Sequence, residues 1–195
     1  MKISASNLDA YWRKYKNKLS KQSTTQASKT FELLEKAFEI GFAIIERERQ
    51  NAKLCIQYIK EAEALNDRYP SHFISAKISF YKGRYHSEHD ETEEGIQCLE
   101  EALKSLSQVD SRDKHIEQIE FVAAAIYVEL GIANGKLSRY EKTVEYNRQA
   151  IQIYENSGPF MMKPWFFLSR ISGMFILLKV IIKMLPATTE KHYGD

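Results

Sequence analysis

Apolar residues recur at helical spacing along most of the chain, and polar breaks cut the pattern into short runs. Leu8, Tyr11, Trp12, Tyr15 and Leu19 share one face of a first run, with Lys14, Lys16, Lys18 and Lys21 interleaved. Ser23 followed by Gln26 has the form of a capping box, which predicts a second helix from Thr24 to about Arg49. Its buried face would carry Phe31, Leu34, Phe38, Phe42 and Ile45. A third helix, Ala52 to Leu65, aligns Leu54, Tyr58, Ala62 and Leu65 before Tyr69, Pro70 and Ser71 break and restart the chain.

The next runs form clearer pairs. Phe73 to His86 is a helix pattern, Asp90 with Glu93 is a second capping-box signature, and Ile96, Leu99, Leu103 and Leu106 mark the buried stripe that follows. A polar connector, Ser107 to Lys114, leads into a long helix through Ile119, Val122, Ala125, Val128 and Ile132. Ser138 with Glu141 predicts the cap of the following helix, whose stripe is Val144, Ile151 and Tyr154, and Asn156, Ser157, Gly158 and Pro159 stop it.

Small residues recur at fixed offsets within these pairs. Gly83 precedes Gly95 by 12 residues, as Gly131 precedes Thr143, and Ala102 follows Gly83 by 19, as Ala150 follows Gly131. The same frame upstream meets Ala43, Cys55 and Ala62. Helices approach closely only where side chains are small, so each pair reads as a tightly packed hairpin. The segment LGIANGKLSRYEKTVEYNRQAI, with Leu130, Gly131, Tyr140 and Ala150, resembles a tetratricopeptide repeat (TPR). Ser138 stands where that family's pattern has its turn glycine, and Thr143 where it has the first small residue of the second helix. The units around Gly83 and Ala43 match more loosely, and the alanine spacings of 40 and 48 residues exceed the usual repeat of about 34.

The resemblance implies an all-α fold of stacked antiparallel helix hairpins, a TPR-like α-solenoid of about three irregular repeats with N- and C-terminal flanking helices. The expected organisation is a basic amphipathic helix over 1–22, the repeat domain over 23–158, an apolar helix over 159–185 and a polar tail over 186–195. Scarce proline (4) and glycine (8) in 195 residues agree with a helical chain.

Charge and chemistry add less. The formal net charge of +2 hides an asymmetry: residues 1–30 hold seven Lys or Arg against one acid, and 88–101 hold seven acids and no Lys or Arg. Two cysteines, Cys55 and Cys98, suggest neither a disulfide framework nor a metal site. No secretory pattern opens the sequence, so a cytoplasmic location is expected. His86, Glu88, His89 and Asp90 are the densest group of metal-ligand residue types, yet lie where a solvated turn is expected. No phosphate loop, nucleophile elbow or HExxH occurs, so no cofactor and no enzymatic activity are expected. The aromatic residues of the first helix suit docking onto the first repeat better than a nucleic-acid surface.

Pro164 to Leu185 is apolar almost all round, but Arg170 and Lys179 weigh against a bilayer span, whereas Lys183 is near enough to the end to snorkel. Three readings stay open: burial against the array with a partner or second subunit, a membrane-interface or anchoring segment, or the end of a truncated array. The function expected from the resemblance is a non-enzymatic protein–protein interaction module that takes a peptide or partner helix on the concave face of its first helices. The alternative is a membrane-associated adaptor anchored through the apolar C-terminal helix. Carried over position by position, the groove would comprise Ile40, Ile44, Arg47, Lys77, Phe80, Arg84, Val128, Ile132 and Lys136. The Lys and Asn set by which some family members grip chaperone C-termini is absent.

Overall fold

In the computed structural model, which describes residues 7–21, 27–113 and 115–156, every regular element is an α-helix. The seven helices are α1 (Leu8–Lys21), α2 (Ala27–Arg47), α3 (Ala52–Arg68), α4 (His72–Glu88), α5 (Thr92–Ser107), α6 (Ile116–Lys136) and α7 (Tyr140–Asn156). They fall in two compact units, Met1–Ile119 and Glu120–Asp195. The expected cap at Ser23 and Gln26 and the apolar segment Pro164 to Leu185 lie outside the described residues.

In the first unit each helix packs on the next, from α1 to α5. Ser71 restarts the chain as the N-cap of α4, its hydroxyl accepting from the Ile74 amide at 3.4 Å, and Asn51 caps α3 through the Leu54 amide at 3.3 Å. Trp12 joins α1 to its neighbours. It is 1 % exposed, it meets Tyr58 of α3 edge-on at 5.8 Å, and its indole N–H donates to Glu61. An ideal Cβ on Gly41 would lie 2.6 Å from the indole Cζ3, so α2 accepts that ring only because residue 41 lacks a side chain. Trp12 therefore serves as a docking group for α1.

The hairpins α4–α5 and α6–α7 close through the same turn, 48 residues apart. The Glu91 amide donates to the His86 carbonyl at 3.0 Å and the Arg139 amide to Asn134 at 2.9 Å; the residues just before them, Asp90 and Ser138, have φ of 64° and 57°. This is a Schellman closure with a left-handed residue at C′. Neither expected capping box forms, because Asp90 and Ser138 end the preceding helix and do not start the next one. Glu91 stands at the N-cap of α5 without a side-chain cap bond, and α7 begins at Tyr140.

The small residues line up in the same register. A Cβ on Gly83 would lie 2.6 Å from Leu99 Cγ, and one on Gly131 would lie 2.5 Å from Asn147 Oδ1. One turn on, Ser87 of α4 faces Gly95 of α5, while Gly135 of α6 faces Thr143 of α7. The two hairpins exchange which partner is the glycine and preserve the close approach.

Candidate functional site

The residues expected to line a groove occupy varied settings. Ile40, Ile44 and Phe80 are buried in the first unit at 1, 0 and 5 % exposure, and Val128 is buried in the second at 6 %. These four present almost no surface to a partner. Arg47 reaches back across α1 and its own helix, pairing with Glu48 and lying 3.8 Å from Asp9. Ile132 is half-buried and Lys136 exposed at the end of α6.

Lys77, Phe80 and Arg84 lie on successive turns of α4, and Lys77 and Arg84 face α2. Phe42 stacks on Phe38 within α2 and on Tyr81 of α4 at 5.2 Å, forming a short aromatic ladder. Above it the Lys77 ammonium sits 4.5 Å from the Phe42 ring centre and 5.8 Å from that of Phe73. Burial pushes the Lys77 ammonium below its ordinary range, opposed by the charge of Glu39. No carboxylate among the described residues pairs directly with it.

Below the ladder the chemistry closes on itself. The Arg84 guanidinium pairs with Glu46 of α2, with side chains only 11 and 16 % exposed, and the Tyr81 hydroxyl also donates to Glu46. Burial pushes the Tyr81 phenol far up, reinforced by the Glu46 charge. Ile45, Arg49, Cys55, Tyr85 and Glu88 complete a cleft of about 10 Å³, room for roughly one water. Cys55 donates to the Glu48 carbonyl at 3.1 Å, and burial pushes its thiol up to about 11, so at neutral pH it is a packed thiol and not a nucleophile. The assembly welds α2 to α4 and leaves no volume for a substrate.

The histidine cluster is likewise spent on structure. His86 Nδ1 lies 2.6 Å from Glu91 across the turn, and His89 Nδ1 lies 2.7 Å from the Tyr85 carbonyl with its ring stacked on Tyr85. Among the described residues no group of three or more His, Cys, Asp or Glu is arranged to hold a metal.

One node has no counterpart in the linear pattern. His115 stacks on Phe73 at 4.3 Å, with Nε2 3.0 Å from Glu35 and Nδ1 2.7 Å from Asp113. It ties the start of α6 to α2 and α4. No local signal joins Glu35 to a histidine 80 positions along the chain. Glu46 escaped for a similar reason: its partners Tyr81 and Arg84 are more than thirty residues away.

The chain matches no model of a known protein family, no curated protein and no solved structure.

Proposed function

We propose that the chain is a non-enzymatic interaction module built from TPR-like helical repeats, which takes a peptide or partner helix along the first helices of its hairpins. The observation that carries this reading is the equivalence of α4–α5 and α6–α7, which reproduce their turn bonds and glycine contacts at a constant offset of 48 residues. Recurring helix hairpins are the building unit of repeat proteins that bind partners, and that likeness supports the reading.

The geometry narrows the ligand. Arg47 and Arg84 are neutralised by acids of the first unit, whereas the Lys77 amine lies over two aromatic rings with no carboxylate among the described residues paired to it. An extended ligand with apolar anchors and an acidic group placed at Lys77 would exchange water for a charge-assisted bond in a partly desolvated setting. The membrane-associated alternative rests on Pro164 to Leu185; among the described residues no helix is long and apolar enough to cross a bilayer.

Selection of a random peptide display library on the full chain, beside a Lys77→Met variant, tests the proposal. The expected result is a consensus with an acidic position that the variant no longer enriches. No enrichment at all, or the same consensus from both proteins, would overturn it. Arg84 is unsuited to this test, since its removal would leave Glu46 buried without its cation.

A further inference from the structure

α1 turns Leu8, Trp12 and Leu19 inward, and its outward side carries four cations interspersed with Ala10, Asn17 and Ser20. Arg13, Lys14, Lys18 and Lys21 are exposed there, and no ion pair among the described residues engages them. Lys16, on the flank, is by contrast spent on Glu61. α5 is built as the converse. It turns Ile96, Leu99, Ala102 and Leu106 inward, and the opposite side carries Glu93, Glu94, Glu100 and Glu101, all exposed, with Lys104 as its one cation at the far end.

The two stripes are opposite in sign and equal in length. Lys14 to Lys21 and Glu94 to Glu101 each cover eight residues, about 10 Å or two helical turns. Within one chain α1 packs against α2 while α5 packs against α4, so the two charged faces belong to opposite ends of the packing order of the first unit.

We infer that these faces form a self-complementary pair between molecules: the α1 stripe of one chain docks on the α5 stripe of a second copy. The contact is heterologous, because it joins two different surfaces. Each bound copy therefore leaves one basic and one acidic face open, and association continues head to tail. An anionic membrane is the less suitable occupant. A helix lying in a bilayer interface inserts its apolar side, and that side of α1 is sealed against α2 and α3 by Trp12. The attraction acts through exposed charges, so it is weak, concentration-dependent and screened by salt.

The test is sedimentation velocity on the full chain over a range of concentrations, at about 20 mM and about 300 mM salt, either side of the ionic strength at which the screening length is ~10 Å. Three proteins are compared: wild type, Lys14→Glu with Lys18→Glu, and Glu94→Lys with Glu101→Lys. All four positions are exposed, and circular dichroism verifies that each variant is folded. Wild type should gain mass with concentration at low salt and lose roughly ten-fold or more in association constant at high salt. Each variant alone should stay monomeric at low salt, since one of its two faces then holds as many acids as bases, or fewer, and no longer complements the other. An equimolar mixture of the two variants should associate again. The inference is overturned if the mixture stays monomeric, or if self-association survives both charge reversals and high salt, which would place the contact on an apolar surface. A wild type that does not self-associate but binds phosphatidylserine vesicles through Lys14 and Lys18 would equally overturn it.

Discussion

Gly131 of α6 lies directly beneath Asn147 of α7: a Cβ on the glycine would come within 2.5 Å of the amide oxygen. In the other hairpin the same position opposite the glycine is held by Leu99. Asn147 is 4 % exposed, and its Oδ1 has no hydrogen-bond partner among the described residues. A buried acceptor left unmet costs about 1–3 kcal/mol, so Asn147→Leu should stabilise the protein by roughly that amount. Chemical denaturation followed by circular dichroism measures it; a loss of stability would mean that the amide has a partner of its own.

The glycines separate by what they face. Gly83→Ala should cost on the order of 1–3 kcal/mol, because the added methyl meets Leu99 and also the Gly95 carbonyl at 2.9 Å, and backbone yields little. Gly131→Ala should cost somewhat less, since the Asn147 side chain can turn aside. Gly135→Ala meets only Thr143, at 3.6 Å, and should raise the melting temperature slightly through helix propensity worth up to about 1 kcal/mol.

Both hairpin turns hold a non-glycine residue in the left-handed region. Asp90→Gly and Ser138→Gly should each stabilise by about 0.5–1 kcal/mol, the cost of a Cβ in that conformation less the greater freedom of glycine when unfolded. Denaturation midpoints of the two single variants and the double variant test this, and additivity is expected because the two closures share no hydrogen-bond partner among the described residues.

Glu61 receives Trp12, Lys16 and Gln57. Burial alone would raise its carboxyl, but these three donors outweigh that and hold it below its ordinary value of 4.5. Its contribution is therefore in place above that pH and is lost as the carboxyl protonates below it. Glu61→Ala should lose about 1–3 kcal/mol at pH 7 by stranding the buried indole N–H, and the variant's stability should fall less steeply on acidification than the wild type's.

At the alkaline end the sign reverses. Burial, helped by Glu88, Glu48 and Glu46, lifts the Cys55 thiol from 9.0 to about 11, and burial with the hydrogen bond to Asp9 lifts the Tyr58 phenol from 10.0 to about 12. The folded chain holds both protons more tightly than the unfolded chain, so stability is full below about pH 9 and drains as pH rises through 9 to 12. Urea midpoints across that range should decline, and Cys55→Ala should flatten the lower part of the decline and Tyr58→Phe the upper.

The order of the helices followed from apolar spacing, and the pairing of Gly83 with α5 and of Gly131 with α7 followed from repeated small residues, because both signals are local or lie within one hairpin. Helix ends at the turns are less legible in the sequence. Asp, Ser and Glu at the right spacing look like caps, but Asp90 and Ser138 are drawn into the left-handed closure of the preceding helix, which satisfies its last carbonyls first.

The candidate groove divides along the same line. That Ile40 and Ile44 fall on one helix and Lys77, Phe80 and Arg84 on another was legible from periodicity. Periodicity does not say which neighbour a face meets. Phe42 against Tyr81, Glu46 against Arg84 and His115 against Phe73 join residues more than thirty positions apart, chosen by which helices lie side by side. By itself the sequence determined the helical class, the hairpin unit and the charge asymmetry, since each depends on neighbours within a few turns. Tertiary packing alone decided that the expected groove residues of α2 and α4 are mostly spent holding those helices together, because burial and ion pairing depend on what the rest of the chain brings against them.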